Sequence, residues 1–232
     1  MMPTKMDEHP VRPAASPVAS DGSLIEIYRR APVTAEVETI AALLEPSSTV
    51  LDLGAGAGRI ADPLAELGHR LTAVDDSADM LAHVQYARTI QSRIEELRLA
   101  EKFDAVLLCS SLLNYPGTQV RRDMLATVAH HLKPTGKAII QWRSPHWFTL
   151  WPPGTYHRTV GTMRQTMTIV TNEDGFVAGE FTMEDDEGKL TQQFQAHRVS
   201  GDELKSLLEQ VGMRLDSDDP ESKEWLEASL AH

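Results

Sequence analysis

The stretch Val50–Arg59, VLDLGAGAGR, runs apolar residues up to an acid and then breaks into glycines at positions 54, 56 and 58. The apolar part is short and dense, as in a buried strand. The alternating glycines predict a tight turn in which bare backbone comes close to a ligand. Three ligands compete for such a turn. A phosphate loop needs G-x-x-x-x-G-K-[ST], and no Lys or hydroxyl stands where one would. A dinucleotide turn needs G-x-G-x-x-G, but its third glycine would fall on Arg59. The third is a nucleoside with an amino-acid tail: Asp52 accepts from an ammonium group, and the loop amides with the next helix N-terminus receive a carboxylate.

Asp75, at the end of the next apolar run (HRLTAVD), decides the class of ligand. An acid at the end of a second strand accepts from both ribose hydroxyls and would repel an additional phosphate.

Outward from this loop, strand and helix alternate. Expected helices are SLIEIYRR, TAEVETIAALLEP (ended by Pro46), RIADPLAELG (Pro63 near its first turn), SADMLAHVQYA (capped by Ser77) and TQVRRDMLATVAHHLK. Expected strands are STVLDL, HRLTAVD, RTIQSR, FDAVLLCSS and GKAIIQW. Short connections between such elements predict a parallel sheet with helices on both faces and ligands at the strand C-termini. Gly54–Gly58, Asp75, Cys109–Asn114 and Arg143–Trp147 should then share one crevice. His130 and His131 read as solvated residues suited to a negative helix end. After Trp142 the pattern changes. RSPHWFTLWPPGTYHR has no period, and three strand-like runs follow, separated by NEDG and DDEGK turns. They read as an inserted three-stranded antiparallel meander, with the acid run Glu184–Glu187 as a solvated turn. SGDELKSLLEQVG returns to helix with a Ser200/Glu203 capping box, closed by Gly212. MRLDS and EWLEASLA read as a last antiparallel pair.

The chain has 232 residues, 41% hydrophobic and 24% charged, which suits one sizeable soluble domain. Its net charge of −12 argues against nucleic-acid and anionic-membrane surfaces. The single cysteine, Cys109, cannot form an intrachain disulfide. Residues 1–21, with scattered Pro and no hydrophobic centre, read as a disordered tail rather than a signal peptide, and the expected address is the cytoplasm.

VLDLGAGAGR, LTAVDDSADML, FDAVLLCSSLLN and HLKPTGKAIIQW, in this order, resemble a class I S-adenosylmethionine-dependent methyltransferase. The resemblance covers about residues 24–142 and returns at ELKSLLEQVGM. It implies an α/β, Rossmann-like, doubly wound and mostly parallel seven-stranded sheet with a reversed last strand, and S-adenosyl-L-methionine as cofactor. The domain would span 22–232, with a cap insertion at 143–199. By resemblance, Gly54, Ala55, Gly56 and Gly58 lie along the methionine and ribose, and Asp75 holds the ribose hydroxyls. Asp76 and Met80 flank the adenine. Cys109, Ser110 and Asn114 lie near the methionine tail and sulfur, and Tyr28 closes over the methionine carboxylate. Two positions depart from the pattern: Arg93 stands where relatives carry an acid or amide for the adenine amino group, so the Ile94 backbone or Glu95 is expected to serve instead, and Asp76 stands where relatives often carry an apolar residue that stacks on adenine.

The expected reaction is a metal-free, in-line methyl transfer to O or N of a small molecule. No Asn-Pro-Pro-Tyr-like element follows the fourth strand, which argues against nucleobase or glutamine amides as acceptors. His146 and His157 are the candidate general bases, because neutral imidazole takes a proton near pH 7. Trp142, Trp147, Phe148 and Trp151 read equally as a plug under the meander or as the wall of an acceptor pocket. The alternative function is a weakly active or inactive cofactor-binding module acting through a partner, or as a homodimer joined at the meander edge.

Overall fold

The computed structural model describes residues 24–31 and 35–231; the expected tail at 1–21 lies outside them. Two short helices, α1 (Ile25–Arg30) and α2 (Ala35–Leu43), precede β1 (Thr49–Leu53). Then follow α3 (Ala61–Glu66), β2 (Arg70–Asp75), α4 (Ala78–Leu81), β3 (Arg88–Gln91), β4 (Phe103–Leu108), α5 (Thr118–His131) and β5 (Leu132–Gln141). Next come α6 (Trp147–Leu150) and four strands, β6 (Gly154–Val160), β7 (Met163–Glu173), β8 (Phe176–Asp185) and β9 (Gly188–His197). The chain ends in α7 (Gly201–Gln210), β10 (Met213–Leu215) and β11 (Trp225–Leu230).

The main sheet has seven strands in the order β10-β11-β5-β4-β1-β2-β3. β1 to β5 pair in parallel, whereas β11 runs antiparallel to β5 and to β10. This is the expected α/β sheet, and all five parallel strands end at one edge. Alternation along the strands divides the core in two. Val50, Ala73, Leu107 and Ile139 pack under Val37 and Ile40 of α2 and Leu64 of α3. Leu51, Leu53, Val106 and Ile140 pack under Met124, Leu125 and Val128 of α5 and Leu204 and Leu208 of α7. Each such burial contributes about 1.5–3 kcal/mol. No helix among the described residues is long and apolar enough to cross a membrane.

Several local expectations hold. Pro63 is the third residue of α3, within its first turn as expected. The Ser77 hydroxyl accepts from the Met80 amide as a cap. Beyond Leu81, however, the expected helix stops after one turn. The Asp62 carboxylate takes the amides of Gln85 and Tyr86 at 2.8–3.0 Å, so those amides turn away from the helix. Ser200 caps α7 through the Glu203 amide, but the capping box is one-sided, since the Glu203 carboxylate pairs with Arg121 of α5 instead. His131 is fully buried, correcting its reading as a solvated helix end. Its Nε2 accepts from the Leu99 amide at 2.9 Å and its Nδ1 donates to the Thr127 carbonyl at 2.7 Å.

The inserted sheet has four strands, not three. The additional one, β6, comes from the segment read as aperiodic. Cross-strand register separates its two faces. Tyr156 and Arg158 lie beside Met167 and Gln165, which lie beside Phe181 and Met183. This inner face carries the buried Ile169, Val177 and Ala196 and packs on Phe148 of α6. Asp174 and Gly175 both take positive φ in the two-residue turn between β7 and β8, as such hairpins require. Asp185, expected in a solvated turn, forms an ion pair with Arg30 of α1, and the Leu24 amide donates to Gln192 on the inner face. α1 therefore lies against the cap.

Candidate active site

The loop after β1 is built as its sequence predicts. Gly54, Gly56 and Gly58 all take left-handed φ, of 71°, 56° and 83°. The amides of Gly54 and Ala55 both donate to the Val74 carbonyl at the end of β2. A Cβ at Gly54 would stand 2.6 Å from Leu112 Cδ1, so the Leu112 side chain would have to shift to admit one. At Gly56 a Cβ would meet only Met80 Sδ at 4.0 Å, so its free side opens away from the protein.

Asp75 stands beside this loop. Its Oδ2 accepts from the Gly56 amide at 2.9 Å and its Oδ1 from the Ser77 amide at 3.0 Å. The carboxylate thus pins the glycine loop to the start of α4. Met80 is buried below the loop and Asp76 is exposed beyond it.

Asp52 is the electrostatic anomaly of the site. It is 1% exposed, and its Oδ2 is buried without a hydrogen-bond partner. Burial pushes its pKa up to about 7, the Arg59 guanidinium draws it down, and the Asp75 charge adds a smaller upward push. Arg59 is itself paired with Glu36 of α2. The Gln141 amide at the end of β5 donates to Glu36 at 3.2 Å and to Glu224 at 2.7 Å, while its oxygen accepts from the Ser110 amide. These polar groups close the strand ends on the α2–α3 side.

The other expected residues divide into those at the crevice and those that build it. Ser110 and Ser111 take left-handed φ in succession, 56° and 59°, which turns the chain sharply out of β4. Such backbone is costly for residues with a Cβ and gathers at functional sites. Cys109 is packed in the core beside the α2–α3 layer, where burial and then the Asp52 charge push its thiol well up, so it is no nucleophile. Asn114 is 1% exposed and its amide is committed: it donates to the Arg143 and His197 carbonyls at 3.0 Å each and accepts from the Arg143 amide at 2.6 Å. Its side chain holds backbone rather than facing the crevice.

At the adenine-side segment, Arg93 is exposed and pairs with Glu95. The Ile94 carbonyl accepts from the Thr127 hydroxyl at 2.8 Å and the Leu97 amide at 3.3 Å, so both its lone pairs are engaged. That corrects its expected role as receiver of the adenine amino group.

His157 is also corrected as a candidate base. It alternates with Tyr156, so it lies on the outer face of the cap, bonded to Thr166 at 2.9 Å. His146 is exposed at the start of α6, with Nδ1 3.5 Å from the Thr149 hydroxyl. The aromatic group separates likewise. Trp142 is fully buried in the main core and donates to the Lys223 carbonyl at 2.8 Å. Trp147 and Trp151 are half-buried under the cap, with ring centroids 6.3 Å apart. Arg143 stands at the crevice as its place after β5 predicts, but the sequence assigns it no role. Its guanidinium carbon lies 4.2 Å from the Trp147 ring centroid, and burial lowers its pKa against the smaller upward influences of Glu224 and Tyr28.

Residues 50–136 match the family model described as a methyltransferase domain. The chain is 33% identical over 99 residues to the ubiquinone biosynthesis O-methyltransferase of Rickettsia akari (strain Hartford), covering 39% of this chain and 38% of that protein. It is 33% identical over 122 residues to the putative methyltransferase YqeM of Bacillus subtilis (strain 168), covering 48% and 49%. The chain thus spans less than half the length of these curated relatives. In fold it is similar to a crystal structure of an S-adenosylmethionine-dependent methyltransferase from Clostridium acetobutylicum ATCC 824. That match has a TM-score of 0.71 and 16% identity, covering 89% of this chain and 95% of that one. The matched family, the glycine loop with its acid on β2, and the strand order with its reversed β11 agree: residues 50–136 form a methyltransferase domain, and the chain is similar in fold to S-adenosylmethionine-dependent methyltransferases.

Proposed function

We propose that the chain transfers a methyl group from S-adenosyl-L-methionine to an oxygen or nitrogen of a small molecule held between the strand ends and the inner face of the cap. One observation carries this reading: the buried, unpartnered Oδ2 of Asp52 behind a loop of three left-handed glycines. A carboxylate left unpaired at this depth calls for a cation, and the ammonium of a methionine tail supplies one. A phosphate there would meet repulsion.

The residues present fit this cofactor. The backbone of Gly54, Ala55, Gly56 and Gly58 lies along its tail and ribose, and Asp75 receives the two ribose hydroxyls beside the amides it already holds. Met80 and Asp76 flank the adenine, Glu95 takes its amino group, and Tyr28 closes over the methionine carboxylate. Ser110 borders the tail. Asn114 and Cys109 shape the site without touching the ligand. When bound, the sulfonium supplies an electrophilic methyl group, so the protein's task is to align the acceptor and exclude water. The cap and α1, joined through Arg30–Asp185 and Leu24–Gln192, provide the cover. A base is needed only for an acceptor that arrives protonated, and His146 is the histidine proposed for it.

Calorimetry with S-adenosylhomocysteine, followed by methyl transfer to a panel of small hydroxyl and amine acceptors, tests the proposal. Binding and turnover of at least one acceptor are expected. Binding of NAD but of neither sulfur ligand would overturn it. Cofactor binding with no transfer to any acceptor would favour a module that binds without catalysis.

A further inference from the structure

Two arginines stand at the crevice, and only one is neutralised. Arg59 is paired with Glu36. Among the described residues no carboxylate lies within ion-pair distance of the Arg143 guanidinium, which instead stacks on Trp147 at 4.2 Å. The nearby Glu224 carboxylate is bonded to the Gln141 amide at 2.7 Å. The Arg143 side chain is partly buried, and stacking on an indole supplies no acceptor for its N–H donors. The surroundings are those of an apolar wall. Trp151 stands 6.3 Å from Trp147, Tyr156 meets Trp151 edge-on at 4.8 Å, and the Trp151 Nε1–H is buried with no acceptor.

Resting on the proposed function, we infer that the acceptor is a planar or aromatic acid whose carboxylate is received by Arg143 while its body lies against Trp147 and Trp151. A carboxylate suits the site better than a phosphate. One unpaired cation matches one negative charge, and Asp52, Asp75, Glu36 and Glu224 would oppose a second. The planar guanidinium can grip both carboxylate oxygens at once. This carboxylate is distinct from that of the cofactor. Arg143 follows β5, and the glycine loop follows β1, with β4 between them. At about 4.8 Å per strand, that separates the two by roughly 10 Å.

The test uses the full chain saturated with S-adenosylhomocysteine and titrated with 3-hydroxyphenylacetate or its uncharged amide, followed by ligand-observed NMR. The acid should bind about tenfold more tightly than the amide. Arg143→Gln should bring the acid down to the level of the amide, and Arg143→Lys should keep part of the preference, because it retains charge without the planar fork. Both variants should keep S-adenosylhomocysteine affinity within about twofold, which also shows them folded. Equal affinity of acid and amide for the parent chain, including no measurable binding of either, overturns the inference. So does loss of S-adenosylhomocysteine affinity in folded Arg143→Lys, which would assign the cation to the cofactor. Failure of the parent chain to bind S-adenosylhomocysteine refutes the proposed function instead.

Discussion

Cofactor binding should release a proton, and Asp52 should be its source. The carboxyl rises from an ordinary 3.8 to about 7 because it is buried without a partner. A rise of about three units puts roughly 4 kcal/mol on the ionised form, at about 1.36 kcal/mol per unit. Because the folded value is raised, the stability contributed by the protonated group is fully present below pH 3.8 and is lost as pH rises through about 7. An ammonium placed opposite the carboxylate reverses this by holding it ionised. Below pH 7, binding must then drive off the proton, so apparent affinity falls towards tenfold per unit, and by about 50-fold between pH 7 and pH 5. At alkaline pH the ligand's own α-amino group deprotonates, and affinity falls again. Calorimetry with S-adenosylhomocysteine, in buffers of differing ionisation enthalpy, should count close to one proton released near pH 6. Asp52→Asn should abolish the release, flatten the acid limb and weaken binding at pH 7.5 by roughly 1.5–3 kcal/mol, the range for hydrogen bonds to charged groups. An affinity that does not change between pH 5 and 7, or a proton still released by the variant, would refute the reasoning.

Asp75→Ala should weaken S-adenosylhomocysteine binding by roughly 1.5–3 kcal/mol through the lost ribose contacts, and an unchanged dissociation constant would contradict the placement. Gly54→Ala and Gly56→Ala should separate folding from binding. Both pay about 1–2 kcal/mol for a left-handed alanine, but only the first drives a methyl into Leu112, so thermal unfolding should fall further for Gly54→Ala while Gly56→Ala stays folded and loses ligand affinity. Burial lowers the pKa of His131, and protonation would remove the acceptor used by the Leu99 amide. Its stabilising contribution should be present above pH 6.5 and lost as pH falls below that value. Urea midpoints compared at pH 7.5 and 5.5 should show a smaller drop in His131→Gln than in the parent chain.

The parallel sheet was legible because each of its central strands is a short apolar run closed by glycine, acid or serine, and the helices between them carry apolar stripes. The glycine loop and Asp75 were legible because their chemistry is local. β6 was not. Its inner face carries Gly154, Tyr156, Arg158 and Val160, a mix of small, aromatic, charged and apolar residues that shows no alternation against its neighbours. His131 and Asn114 were misjudged for another reason: their partners lie 29 to 83 residues away along the chain.

The Asn114 amide has a consequence for how this protein can be altered. It grips the Arg143 carbonyl, where the chain leaves for the cap, and the His197 carbonyl, where it comes back. Departure and return are thus fixed side by side by a residue of the nucleoside-binding half. Whatever lies between them can be exchanged for a segment of another length or shape at little loop-closure cost. The grip works as a socket, and a library of grafted caps would change what is methylated while leaving the methyl donor's berth untouched.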